Sequence, residues 1–153
     1  MLILEGFQAG LSWITILRKR KNFKKAFDNF DPKKIAKYDS AKINQLMKDE
    51  GIIRNRLKIN AAKINAKCFL GVRKEFGSFD KYIWQFTKGK PLKNNYRSLK
   101  DIPVRTKESD MMSKDLKKRG FKFVGSTICY AFMQATGIVN DHIYECFRYK
   151  ELI

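Results

Sequence analysis

The spacing of its apolar residues limits this chain more than any other feature, because they fall three or four apart along nearly its whole length. Ile3, Leu4, Phe7, Leu11, Ile14 and Leu17 make one such stripe over residues 2–20, and Phe79, Tyr82, Ile83 and Phe86 make another. Side chains at those spacings share one face of an α-helix, so the pattern predicts amphipathic helices that bury their stripes against one another. No stretch alternates apolar and polar residues over a useful strand length. The expectation is an all-α protein forming a single helical domain over residues 1–153, long enough to bury a proper core without staples.

Punctuation residues divide the pattern. Asp31 followed by Pro32 announces a second helix, and Ser40 ahead of Ile43, Leu46 and Met47 a third that ends at Gly51. A fourth follows residues 52–56, with Leu57, Ala61, Ile64 and Cys68 as its expected inner face. Ser78 caps a fifth. Gly89, Pro91, Asn94, Asn95 and Pro103 mark residues 87–108 as a connecting loop. Helices resume with Ser109 or Asp110 as cap, stop at Gly120, restart after Ser126 and stop at Gly137. Asn140 or Asp141 is then expected to cap a last short helix carrying His142 and Cys146.

Charge narrows the function. Thirty-three Lys and Arg stand against fifteen Asp and Glu, for a formal charge of +18. Such a balance is the footprint of a nucleic-acid binder. The cations cluster at Arg18 to Lys25, at Arg54, Arg56 and Lys58, and at Lys114 to Lys122. Each run taken alone also suits a solvated helix face. Cys68, Cys129 and Cys146 are too few and scattered for a disulfide framework. No basic segment follows Met1, and no apolar run approaches the roughly 20 residues that span a bilayer. A reduced, cytoplasmic protein without a membrane partner is expected.

Three groups of residues carry candidate chemistry. Glu5 lies among Leu2, Ile3, Leu4, Phe7 and Trp13. An ionised acid in apolar surroundings costs free energy unless a cation or a donor meets it, so a positively charged partner is expected there. Gln8 lies about one turn further on the same side, and Trp13 offers a flat face for stacking a base. The alternative is a core tryptophan and a solvated acid near a helix start. Residues 41–70 read as a helical hairpin whose turn at Gly51 exposes backbone N–H groups to a phosphate, with Arg54, Arg56 and Lys58 adding charge. An ordinary packing hairpin is the alternative. His142 and Cys146, four apart, have the chemistry of zinc ligands, but a tetrahedral site needs four donors.

These signals occur in an order that resembles the type I DNA-3-methyladenine glycosylases, the Tag family of helix-hairpin-helix repair enzymes. The blocks that carry it are Leu4-Glu5-Gly6-x-Gln8-Ala9-Gly10-Leu11-Ser12-Trp13-Ile14-Thr15 and Gly51-Ile52-Ile53-Arg54-x-Arg56-x-Lys58-Ile59. Ser113-Lys114-x-Leu116-Lys117-Lys118-Arg119-Gly120-Phe121-Lys122-Phe123-Val124-Gly125 and Gly137-x-Val139-Asn140-Asp141-His142 complete it. The resemblance implies that Glu5 hydrogen-bonds a flipped 3-methyladenine, that Trp13 stacks on it, and that Gly10 and Leu11 lie at the gap left in the duplex. It implies that the hairpin around Gly51 to Arg56 holds the DNA backbone. It also implies that His142 and Cys146 are two of four ligands to a structural zinc. Family members carry the other Cys and His ligands and a base-enclosing tyrosine ahead of the position of Leu2, so only half a zinc site is expected here. The implied activity is monofunctional release of 3-methyladenine from double-stranded alkylated DNA by a monomer, leaving an abasic site. The alternative is a relative that binds DNA without cutting glycosidic bonds.

Overall fold

A left-handed glycine splits the first expected helix in two. The structure, a computed structural model, describes residues 1–151. Helix α1 covers Leu2–Gln8 and α2 covers Trp13–Ala26, separated by a turn in which Gly10 has φ +77°. Leu4 and Phe7 of the expected stripe are buried, but Leu11, Ile14 and Leu17 are exposed. The break rotates α2, which instead buries Ile16 and Phe23.

Caps set most of the other boundaries. The Asp31 carboxylate accepts the Lys33 N–H at the start of α3 (Pro32–Ile35), and Ser78 Oγ accepts the Lys81 N–H at the start of α6 (Phe79–Trp84). In α4 (Ser40–Lys48) the cap is Asp39 and not Ser40. Helix α7 (Lys107–Lys118) starts at Thr106, with Ser109 as the third helical residue of a reciprocal capping box. Helix α8 covers Ser126–Ala135.

The longest element is α5, Arg56–Phe76. Its inner face differs in part from the expected one: Ala61 is buried and Cys68 packs against the core as expected, but Leu57 is 73% exposed and Ile64 also faces out, while Ile59, Ala62, Asn65, Ala66 and Val72 are buried. Alanines at the contact let neighbouring helices approach closely. One core gathers Phe7, Ile16, Phe23, Phe27, Ile35 and Leu46 around the first half of α5. A second gathers Tyr82, Met112, Leu116, Tyr130, Met133 and Ile138 around its far end. The expected final helix is absent at His142. A short parallel pair joins β1 (Leu92–Lys93) to β2 (Val139–Asn140), and α9 (Phe147–Glu151) begins only after Cys146.

Candidate active site

Between α1, the start of α2, and α8 lies a cavity of about 550 Å3, within the range of small-molecule sites. Glu5, Gln8 and Trp13 all line it, so the structure brings together the three residues singled out for base recognition. Thr127, Ala131, Gln134, Asp141 and His142 form the opposite side. Glu5 is 3% exposed, and burial raises its carboxyl above the usual glutamate range, opposed by the nearby Met1 amino group. Its side chain is one of the polar groups that line the cavity. An acid so placed favours a ligand that brings a positive charge or a donor.

The turn beside the cavity follows from its sequence. Ala9 (φ −46°, ψ 118°) precedes Gly10 at φ +77°, and the Leu11 N–H donates to the Gln8 carbonyl at 2.7 Å. Those angles define a type II turn, whose third residue is glycine because its φ is positive. A Cβ on Gly10 would meet nothing within 4 Å, so the need for glycine is conformational and not steric. Gln8 Nε2 donates to the Leu11 carbonyl at 2.8 Å and closes the turn from the side. Gly10 and Leu11 stand exposed at its tip.

The expected hairpin is present as α4, residues 49–55 and α5. Its details differ from expectation at Gly51 and Lys58. The Gly51 N–H is already taken by Asp49 Oδ1 at 2.7 Å, so it is not an open donor. Gly51 is needed for close approach: a Cβ there would lie 3.1 Å from Asn22 Cβ of α2 and 2.9 Å from Asp49 Oδ1. Lys19 Nζ also clasps the turn through the Glu50 carbonyl at 2.8 Å. Arg54 is exposed, 3.6 Å from Glu50, and Arg56 donates to Asn44 Oδ1 at 2.9 Å. Both guanidinium groups face solvent. Lys58 is buried, its ammonium donating to the carbonyls of Phe7 at 2.9 Å and Ala9 at 2.5 Å, so the structure separates it from the exposed hairpin cations.

His142 and Cys146 approach each other without a helix, Nδ1 to Sγ 3.5 Å. Among the described residues no third His, Cys, Asp or Glu joins them in a metal-sized cluster. Two donors do not make the four-coordinate site a structural zinc takes. The neighbouring Asp141 is committed elsewhere: its carboxylate accepts from Asn94 Nδ2 at 2.7 Å, Tyr130 Oη at 2.5 Å and Gln134 Nε2 at 2.7 Å. Sequence reasoning missed this cluster and the burial of Lys58. Its donors come from positions 94, 130 and 134, and no local spacing joins them.

The result is a basic helical domain whose acid and indole share one cavity beside an exposed turn. The family model for methyladenine glycosylase matches residues 1–149, and the chain belongs to that family. It is 48% identical over 145 residues to a DNA-3-methyladenine glycosylase of Haemophilus influenzae, covering 95% of this chain and 78% of that protein. A crystal structure of 3-methyladenine DNA glycosylase I superposes with a TM-score of 0.93 at 50% identity, covering 95% of this chain and 80% of the other. The Staphylococcus aureus enzyme, solved to explain its 3-methyladenine recognition, gives a TM-score of 0.93 at 36% identity, covering 95% of this chain and 78% of that one.

Proposed function

We propose that this chain extrudes 3-methyladenine from alkylated double-stranded DNA and hydrolyses its N-glycosidic bond, releasing free base and leaving an abasic site. The observation that carries the reading is the shared cavity: Glu5, Gln8 and Trp13 line one space beside the exposed Gly10–Leu11 turn. Methylation at N3 makes adenine cationic, so the carbon–nitrogen bond is weakened before any enzyme acts. The bond's electron pair leaves with the base, which departs neutral, and water adds to the oxocarbenium-like sugar and gives up a proton. Little acid catalysis is required. The protein's share is extrusion, which costs a few kcal/mol for a stacked base, and recognition of the flipped base.

Glu5 recognises the altered base by charge and hydrogen bonding, Gln8 completes the wall, and Trp13 stacks on the ring. Leu11 on its Gly10 pivot enters the space the base vacates. Arg54 and Arg56, on a turn packed against α2 through Gly51, hold the backbone as a helix-hairpin-helix element. The protein acts as a monomer in the cytoplasm, and no described helix is long and apolar enough to cross a membrane.

The test is release of 3-methyladenine from a methylated duplex, followed by chromatography of the free base. The wild-type chain is expected to release it. Trp13→Ala is expected to lose about 1–3 kcal/mol of base stacking, a roughly ten- to hundred-fold slower release, with binding to undamaged duplex retained. A wild-type chain that binds duplex and frees no base overturns the reading.

A further inference from the structure

The buried ammonium of Lys58 is the one cation of the hairpin block that faces inward, and what it touches is specific. Lys58 lies in the first turn of α5, its own N–H capped by Asn55 Oδ1 at 3.1 Å. Its side chain crosses to the C-terminal end of α1, where helix carbonyls lack intrahelical partners and carry partial negative charge. There it binds the Phe7 carbonyl and the Ala9 carbonyl. The second contact matters more. Ala9 and Gly10 share the central peptide of the type II turn, and rotation of that peptide is what separates a type II turn from a type I turn. With its carbonyl fastened, the peptide has one orientation. The Phe123 ring stands 5.9 Å from the same ammonium, at a residue with φ +54°, and Phe123 Cβ would lie 3.3 Å from a Cβ on Gly6. Lys58 therefore joins the base of the hairpin to the turn beside the cavity.

We infer that Lys58 is a positioning residue: its ammonium fixes the Ala9–Gly10 peptide so that Leu11 is presented in one geometry to the duplex when the hairpin is seated on the backbone. It makes no phosphate contact. The inference rests on the proposed glycosylase reading, since a turn at the duplex gap has work to do only if a base leaves the stack. Misplacing a positioning group by about 1 Å commonly costs on the order of a hundred-fold in rate, so the effect on release is large while duplex affinity is spared.

Lys58→Met keeps the aliphatic stem and removes the donors. Three measurements are made on it and on wild type: single-turnover release from a methylated duplex, binding of free 3-methyladenine followed by Trp13 fluorescence, and the salt dependence of binding to undamaged duplex. Release is expected to fall roughly ten- to hundred-fold. Free-base affinity and the salt slope are expected to stay as in wild type, and Lys58→Arg, which retains charge and donors, to recover most of the rate. A salt slope reduced by about 0.9, the signature of one lost phosphate contact, overturns the inference. So does a parallel loss of free-base affinity, which assigns Lys58 to the pocket and not to the turn. If Lys58→Met lacks a cooperative melt, Lys58→Gln carries the same comparison with one amide donor retained. Wild-type release matched by these variants sinks the positioning role alone, whereas a wild type that frees no base sinks the glycosylase reading and this one with it.

Discussion

Burying Glu5 sets a pH-dependent cost against the folded state. Its carboxyl is buried and held above the usual glutamate range by desolvation. Because the folded state then binds its proton more tightly than the unfolded chain does, the folded state is disfavoured as pH rises through the interval between the two values. Below the ordinary glutamate pKa this cost is absent, and it grows as pH rises through the raised value. Glu5→Gln is thus expected to raise the melting temperature at pH 7, with the gain vanishing at acid pH, while abolishing most base release. Scanning calorimetry at two pH values and a release assay check both halves. Glu5 was legible in the sequence because an acid amid apolar neighbours in so basic a chain needs a reason. Lys58 was not. Arg54, Arg56 and Lys58 look alike in a string, and only the phase of α5, with Ile59 and Ala62 inward, turns the third one into the interior.

At the scale of elements, the hairpin is held to α2 by shape and offers its charges to solvent. Gly51→Ala would press a methyl against Asn22 and Asp49, and overpacking of this kind costs about 1–3 kcal/mol. The expected result is a lower denaturation midpoint, read by chemical unfolding, with weaker duplex binding once the turn is displaced. Arg54 and Arg56 are a separate matter. The Arg54 contact to Glu50 is exposed and long, and such pairs are worth about 0–1 kcal/mol, so the guanidinium is free to meet a phosphate. Replacing both arginines by alanine is expected to leave the melt nearly unchanged and to reduce the salt slope of duplex binding by about 1.8, at 0.9 per phosphate. Titrations at several salt concentrations check it.

Element boundaries followed local chemistry, and the sequence reading succeeded where that chemistry was local. Asp31 with Pro32 and Ser78 cap the helices they announce. Asp39 displaced Ser40 because both are good caps one residue apart, and the choice depends on where the chain turns. Half of the expected inner face of α5, Leu57 and Ile64, was misassigned for a related reason. Leu57 and Ile64 also keep helical spacing, yet close packing favours the face of alanines, whose buried polar members Lys58 and Asn65 find backbone partners. The segment at His142 lost its expected helix to a long-range competitor, the pairing of β2 with β1 across residues 92–140.

In the whole molecule, two cores share α5, which contributes Ile59, Ala62 and Ala66 to one and Val72 to the other. Neither core can come apart without disturbing that helix, so unfolding is expected to be a single transition whose calorimetric and van't Hoff enthalpies agree. The second core is further pinned by Arg119, which bridges Glu75 and Asp115 and lies over the rings of Phe76 and Tyr82. Part of the basic run at 114–122 therefore holds helices together and is not available to DNA.

The walls of the cavity come from opposite ends of this arrangement, α1 and α2 on one side, α8 and the residues after β2 on the other. The width of the opening is therefore set from two sides at once, and a substitution that shifts either wall is expected to change what the cavity admits.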